Sequence, residues 1–255
     1  MNETASSLEI GQRPAPPPGG ARFRHSGDLG DIIFALPAVR ALGGGVLYLD
    51  PEGGRDSPMV RPQMGRRFTN LTAEAIKGIA PILLQQEYVR EVRPWAGEAV
   101  DYDLDLFRRH KNLHNISDSH LKAFGLDSGE RDRAWLTIAD PIVIEGRPIV
   151  ISRSVRYHGN YAFWKDHLPL IKDRSVFVGY PKEHDIFQYT FGYEVQYYPT
   201  PDMLTLARVI AGCGHFMGNQ GFPHALAEGM KKNLINEVFR PNPAAVFKRA
   251  GADYV

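Results

Sequence analysis

Apolar residues recur along the chain in two rhythms. Short runs with strand character (21–25, 46–49, 89–92) are separated by stretches at helical spacing. In 31–42, Ile32, Ile33, Leu36, Val39 and Leu42 fall close to every third or fourth position, which predicts a helix. Pro37 interrupts it, predicting a kink or a late start, and Gly43, Gly44 and Gly45 end it. Residues 72–84 predict a second helix, 102–107 an alternating strand, and 115–124 a helix stopped by Gly125. After Asp140-Pro141 a second series begins. Strands are predicted at 148–152, 175–179, 194–197, 215–218 and 234–237. Helices are predicted at 183–191, 202–212 (capped by Asp202 or Thr200) and 223–230.

Strand–helix alternation at this spacing predicts an α/β fold with parallel sheets. The break near 135–148 divides it into two Rossmann-like halves facing a cleft, with one continuous sheet as the alternative. The expected units are a flexible Pro/Gly-rich arm (1–20), an N-terminal half (21–140) and a C-terminal half (141–255).

Composition narrows the function classes. The chain has 255 residues, a formal net charge of +1 and 43% hydrophobic residues. That is too apolar for a disordered chain and too evenly charged for a dedicated duplex-DNA binder. The lone cysteine, Cys213, excludes an intramolecular disulfide and reads as a small buried residue. No apolar run approaches a membrane span, and the N-terminus lacks a signal-peptide pattern. The expectation is a cytoplasmic protein.

Two strand-to-helix turns carry the candidate chemistry. The first holds His25, Ser26, Gly27, Asp28, Leu29, Gly30 and Asp31. Glycines there permit close backbone approach, and the helix N-terminus offers free N–H groups. Neither a dinucleotide nor a P-loop fingerprint is present. Asp28 and Asp31 suit a helix cap and a first-turn dipole partner; alternatively one of them is a general base. The second turn, 218–228, repeats the device with Asn219, Gln220, Gly221, Pro223 and His224. A diphosphate fits its helix N-terminus, with His224 adding a charge-assisted bond. Arg153 and Arg156, past a strand end, are anion-binding candidates, and Glu237 is a candidate acceptor for sugar hydroxyls.

Other patterns are weighed against plainer readings. Asp101, Asp103 and Asp105 have D-x-D spacing, but alternation with Leu104 and Leu106 reads better as a half-buried strand than as a metal site. His110, His114, Asp118 and His120 read as a surface or acceptor-side loop rather than a metal cluster. The aromatic stretch 157–164 suits a base- or sugar-stacking surface or a core-capping loop equally.

The run Gly30-Asp31-Ile32-Ile33-Phe34-Ala35-Leu36-Pro37-Ala38 resembles the opening of the ADP-heptose heptosyltransferases, glycosyltransferase family 9. Tyr102-Asp103-Leu104-Asp105-Leu106 is similar to that family's late tyrosine–aspartate strand. Ser152-Arg153-Ser154 stands where the family has a small polar loop, and Trp164-Lys165 follows in reversed order. Asn219, Gly221, His224 and Ala227 match an Asp/Asn-x-Gly-x-x-His-x-x-Ala turn, with Asn219 where the heptosyltransferases usually have Asp.

The resemblance implies the GT-B architecture, with loops trimmed to fit 255 residues. It also implies a metal-independent, inverting glycosyltransferase with no cofactor and a nucleotide-diphosphate sugar as donor. Asp31, with Asp28 beside it, is the implied catalytic group. Ser152, Arg153, Arg156, Lys165, Asn219, Gln220, Gly221, His224 and Glu237 are the implied donor-binding residues, and His25, Ser26 and Gly30 lie on the acceptor side. The acceptor class stays open among glycan, lipid-linked sugar, protein and modified nucleic acid. The basic stretch 61–67, with Phe68, His110 and Lys111, suggests a polyanionic one. Two other readings compete: a non-catalytic nucleotide- or sugar-binding module of the same fold, and a phosphate-transferring or epimerising enzyme.

Overall fold

A computed structural model of the chain describes residues 20–51, 71–110 and 115–255. The expected arm up to residue 19, the basic stretch 61–68, Lys111 and His114 lie outside the described residues.

The first half follows the predicted rhythm. Strand β1 (Ala21–His25) leads into α1 (Leu29–Ala41), then β2 (Gly45–Leu49), α2 (Ala73–Leu83) and β3 (Val89–Pro94). Helix α1 starts early rather than late. Asp28 at the N-cap and Asp31 three residues on form a capping box, and Pro37 lies inside the helix. Eight consecutive residues of α1, Ile32 to Val39, are buried, because other elements pack around it on several sides. Thr72 caps α2 by accepting from the Ala75 N–H at 3.1 Å.

One predicted strand is mostly something else. β4 is only Tyr102–Asp103, and Leu104–His110 is a 3₁₀ helix. The Asp105 N–H donates to the Asp103 carboxylate at 3.1 Å, closing a local turn where a ladder bond would have formed. Leu104 and Phe107 are then buried at a spacing of three, the 3₁₀ repeat. Helix α3 (Ile116–Ala123) follows, capped by Asn115.

The second half runs β5 (Ile149–Ser152), α4 (Tyr161–Ile171), β6 (Ser175–Phe177), α5 (Pro181–Phe191), β7 (Gln196–Tyr197), α6 (Met203–Gly212), β8 (His215–Asn219), α7 (Phe222–Gly229), β9 (Asn233–Glu237) and β10 (Ala252–Tyr254). Asp202, not Thr200, caps α6. Helix α4 and strand β10 escape the periodicity. The aromatic stretch belongs largely to α4, capped by Asn160, with Trp164 and Leu168 buried one turn apart. Cys213 is buried, and burial pushes its thiol up to about 11.

Two sheets, not one, result. Their orders are β3-β2-β1-β4 and β10-β9-β8-β5-β6-β7, with every paired strand parallel. One hydrophobic core joins them. Phe23 and Leu47 of the first sheet, α1 and α7, and Val150, Val176 and Phe216 of the second all belong to it. A smaller cluster on the outer face of the second sheet centres on Trp164, Phe177 and Phe187. Chain crossings add to the joint. The N–H groups of Trp135 and Leu136 donate to the Gly229 carbonyl at 2.9 and 3.0 Å, and the Ile116 N–H donates to Ala244 O at 2.8 Å. Phe247 returns to stack on Phe34, ring centres 5.2 Å apart. No helix among the described residues is long and apolar enough to cross a membrane.

Among the described residues, three histidines are wholly buried: His25, His120 and His224. Burial lowers His25 to about 4, His224 to about 3 and His120 well below its ordinary value of 6.5. Below pH 6.5 the unfolded chain takes protons at all three that the native chain refuses. The contribution of these histidines is therefore full above pH 6.5 and is lost as pH drops towards 4, by ~1.4 kcal/mol per pH unit each for His25 and His224 and in the same direction for His120. Asp31, raised to about 7, acts in the opposite sense between its ordinary 3.8 and 7 and offsets about one of the three. Urea midpoints measured from pH 7.5 to 4.5 should fall steadily; a flat profile would contradict this burial.

Candidate active site

In open parallel sheets, ligands bind at the carboxyl ends of strands where the strand order reverses. The first sheet reverses between β1 and β4, and the second between β5 and β8. Both reversal points carry the turns singled out in the sequence: 25–31 follows β1, and 152–156 and 219–224 follow β5 and β8.

The first turn is built around Gly27. A side-chain carbon there would lie 2.5 Å from His25 Cε1 and 2.8 Å from Asp31 Oδ2, so only glycine lets these groups close on the backbone. The Gly27 N–H donates to His25 Nδ1 at 2.8 Å. That assigns the His25 proton to Nε2, which faces His120 Nε2 at 3.1 Å. His120 Nδ1 lies 2.9 Å from Ile116 O and so carries its own proton there. Both rings are satisfied in the neutral form, in agreement with their lowered pKa values. His25 is thus an internal brace, and His120 and Asp118 sit on a buried helix rather than in a surface loop. Asp118 pairs with Arg131 at 2.6 Å.

Ser26 is also held from behind. Its N–H donates to Asp105 Oδ1 at 3.0 Å and its hydroxyl donates to Asp105 Oδ2. Asp28 serves as the cap, its N–H donating to Asp31 at 3.3 Å. Asp31 is half-buried. Burial first, then the charge of Asp28, raises its carboxyl to about 7. That is the value of a group that can take a proton and release it near neutrality.

The aspartates of the D-x-D run are engaged by arginines: Asp101 with Arg22 at 3.3 Å, Asp103 with Arg24 at 3.3 Å, and Asp105 with Arg108 at 2.5 Å. No group of three or more histidine, cysteine or carboxylate side chains able to hold a metal occurs among the described residues.

The second turn is positioned by polar side chains that sequence reasoning assigned to ligand. Asn219 is buried and clamps the loop after β5, accepting from the Ser154 N–H at 3.0 Å and donating to Ser154 O at 3.1 Å. Gln220 holds the chain after β9, accepting from the Phe239 N–H at 2.7 Å and donating to Asn242 O at 2.8 Å.

Glu237 and Arg153 pair with each other through bonds of 2.6 and 3.1 Å. Glu237 also accepts from Gly159 N–H, Asn160 N–H and Trp164 Nε1–H at 2.6, 2.8 and 2.9 Å. Burial alone would raise its carboxyl; Arg153 and the two backbone donors overcome this and hold it below its ordinary range. A carboxylate so fully occupied is a brace for the 153–160 loop and offers nothing to a sugar hydroxyl. The same pairing turns Arg153 inward.

His224 is a further correction. It is wholly buried, neutral and without a hydrogen-bond partner for either nitrogen, and its ring lies 6.1 Å from Phe34. It packs α7 against α1 and carries no charge for phosphate. Lys165 stands exposed on α4, beyond the loop that follows β5. What faces the second crevice is Ser152, the exposed Arg156, Gly221 and the N-terminus of α7.

Glu183 belongs with them and was missed. The approach of Gly179 shows its place: a side-chain carbon on Gly179 would lie 3.0 Å from Glu183 Oε2 and 3.7 Å from Ser152 Oγ. Glu183 is half-buried, and burial raises its carboxyl. In sequence it reads only as an ordinary first-turn acid.

The two turns meet. A side-chain carbon on Gly30 would lie 3.8 Å from Ala225 Cβ and 4.0 Å from Gly221 O. Helices α1 and α7 therefore start side by side, and Asp31 is the residue that follows this contact in α1.

Two parallel-strand sheets joined in this way, with their reversal points facing one cleft, define the GT-B type of fold. Among solved structures, the chain is similar to E. coli heptosyltransferase WaaC with ADP-2-deoxy-2-fluoro heptose, at TM-score 0.55 and 12% identity over 92% of each chain. It is similar to a family 9 glycosyl transferase from Veillonella parvula at TM-score 0.60 and 10% identity, over 92% of this chain and 85% of that one. The iron-containing dodecameric glycosyltransferase TibC of enterotoxigenic E. coli matches at TM-score 0.55 and 11% identity, over 91% of this chain and 61% of that one. At such identities the likeness is one of fold. No protein-family model and no curated protein matches the chain.

The Arg153–Glu237 pair yields a stability test. Replacing Glu237 with Ala leaves a buried guanidinium without its partner and should cost about 3–5 kcal/mol in urea unfolding. A loss below about 1 kcal/mol would show that the pair is not the brace of this loop.

Proposed function

We propose that the protein is a glycosyltransferase that moves a sugar from a nucleotide-diphosphate donor to an acceptor hydroxyl, with Asp31 as general base. The observation that carries this reading is the adjacency of the two turns. The helix start that carries a raised carboxyl lies against a second helix start, and each follows a reversal-point strand of its own sheet. The resemblance of the Gly30–Ala38 run and the fold shared with heptosyltransferases support it.

The chemistry follows from the geometry. The donor diphosphate rests on the N-terminus of α7, where unpaired N–H groups and the helix dipole favour negative charge. Pro223, within the first turn, removes one of those donors and keeps the turn pre-organised. Arg156 is the exposed cation beside that crevice. The acceptor enters from the first turn. Asp31 takes the proton of its hydroxyl as the oxygen attacks the anomeric carbon. The bond from that carbon to the diphosphate breaks, and the charge gathering on the leaving oxygen is met by α7 and Arg156 without recourse to a metal. Water exclusion by the shared core around Phe34 and His224 strengthens both contacts. Inversion at the anomeric carbon rests on the resemblance.

A binding module without turnover is the second reading. What favours it is that Arg153, Glu237 and His224 are engaged internally, which leaves few charges for a donor.

Asp31→Asn should abolish transfer, lowering kcat by at least about a hundredfold, while leaving nucleotide-diphosphate affinity within about twofold. For the unaltered protein, kcat/KM should rise with pH through about 7 and then level, as the base loses its proton. Donor binding with no transfer or donor hydrolysis by the unaltered protein would favour the module.

A further inference from the structure

Asp105 lies in the D-x-D run that the catalytic reading does not use. Its surroundings give it a task. The 3₁₀ helix after β4 brings Asp105 to the far side of the 25–28 turn, where it accepts both the N–H and the hydroxyl of Ser26. Arg108, one 3₁₀ turn later, binds the same carboxylate at 2.5 Å, and Arg24 reaches it at 3.4 Å. Ser26 adjoins Gly27, the residue on which Asp31 and the His25 ring close from the other side. Asp105 therefore grips the turn one residue away from where Asp31 meets it.

We propose that Asp105 and Arg108 are positioning residues for Asp31, fixing the turn that carries it and presenting to it one negative and one positive charge. Their link to a reaction rests on the glycosyl-transfer reading; their effect on Asp31 does not.

Among the described residues, the ionisable groups facing Asp31 come from its own turn, β1, α3, the 3₁₀ helix and α7. Asp28 lies on its own turn. His25 on β1, lowered to about 4 by burial, and His120 on α3, lowered well below its ordinary value by burial, contribute no charge near neutrality. Asp105 and Arg108 come from the 3₁₀ helix. Helix α7 brings Gly221 and Ala225 to Gly30, and its histidine, His224, is buried and neutral against Phe34. Burial alone would raise the Asp105 carboxyl; the His25 ring, Arg108 and the two Ser26 bonds outweigh it and hold Asp105 at about 2. Asp105 and Arg108 are thus both charged throughout the working range. The first raises the Asp31 carboxyl and the second lowers it, after the larger contributions of burial and Asp28.

Opposite charges make opposite predictions, which a loosened turn would not. The Asp31 carboxyl carbon is followed by NMR titration in the free protein, with the Asp31→Asn variant assigning the signal. Asp105→Asn keeps an acceptor for Ser26 and should move the Asp31 midpoint down by roughly half a pH unit. Arg108→Gln should move it up by a similar amount, and Arg108→Lys should restore it. The pH midpoint of transfer should shift in the same two directions. Shifts in one common direction, or none in either variant, would overturn the proposal. If Asp105→Asn does not fold, the Arg108→Gln and Arg108→Lys pair decides alone. Opposite shifts in a protein that transfers no sugar would sustain this proposal and remove the functional reading; transfer without the shifts would do the reverse.

Discussion

The contact between α1 and α7 is what the rest of the molecule depends on. Each helix begins at a strand-to-helix turn that opens on its own sheet's reversal point. Left apart, each turn would be half a site. The small residues Gly30 and Ala225 let the two helix starts lie side by side, and Phe34, His224 and Phe247 fill the space behind them. A neutral, wholly buried histidine at this joint is costly to ionise, so the joint is secure at neutral pH and weakens in acid. The crossings at Gly229 and Ala244 lock the same seam from both ends.

Around that joint, most of the polar side chains are occupied with one another. Asn219, Gln220, Glu237 and Arg153 each hold a loop in place. His25 and His120 complete a hydrogen-bond chain that needs neither to be charged. Buried polar groups must be paired. The pairing used here fixes the backbone of the crevice walls around Asp31, Ser152, Arg156 and Glu183.

Much of this was legible in the chain itself. The strand and helix rhythm is set by apolar periodicity, and it located both turns because glycines and caps mark helix starts. Asp31 was singled out through the resemblance of the Gly30–Ala38 run; its position alone suits a first-turn dipole partner equally, and it does take part in the capping box of α1. The strand expected over 102–107 failed for a local reason: the Asp103 carboxylate captures the Asp105 N–H, and alternation of Asp with Leu looks the same in a strand and in a 3₁₀ turn over so short a run. Helix α4 was hidden because Tyr157 to Trp164 reads as an aromatic cluster before it reads as a period. The roles of Arg153, Glu237 and His224 were beyond sequence altogether. Residues 153 and 237 are distant in the chain, and nothing in either identity says that each will neutralise the other. Glu183 was passed over because its partner in forming the crevice, Ser152, lies on a neighbouring strand.

The glycines of the two turns look interchangeable on the page of the sequence, and the structure separates them. At Gly27 a side chain would collide with His25 and Asp31, so glycine there is a steric necessity for the protein's own packing. At Gly221 the backbone is extended, and the nearest atoms to an added carbon are Pro223 Cδ at 3.7 Å and Asn219 O at 4.0 Å. Nothing in the fold forbids a larger residue there. The turn after β1 is closed by its own side chains, while the turn after β8 keeps open a volume the protein does not need for itself. Alanine at Gly221 would fold as well as glycine and would compete with whatever occupies that space.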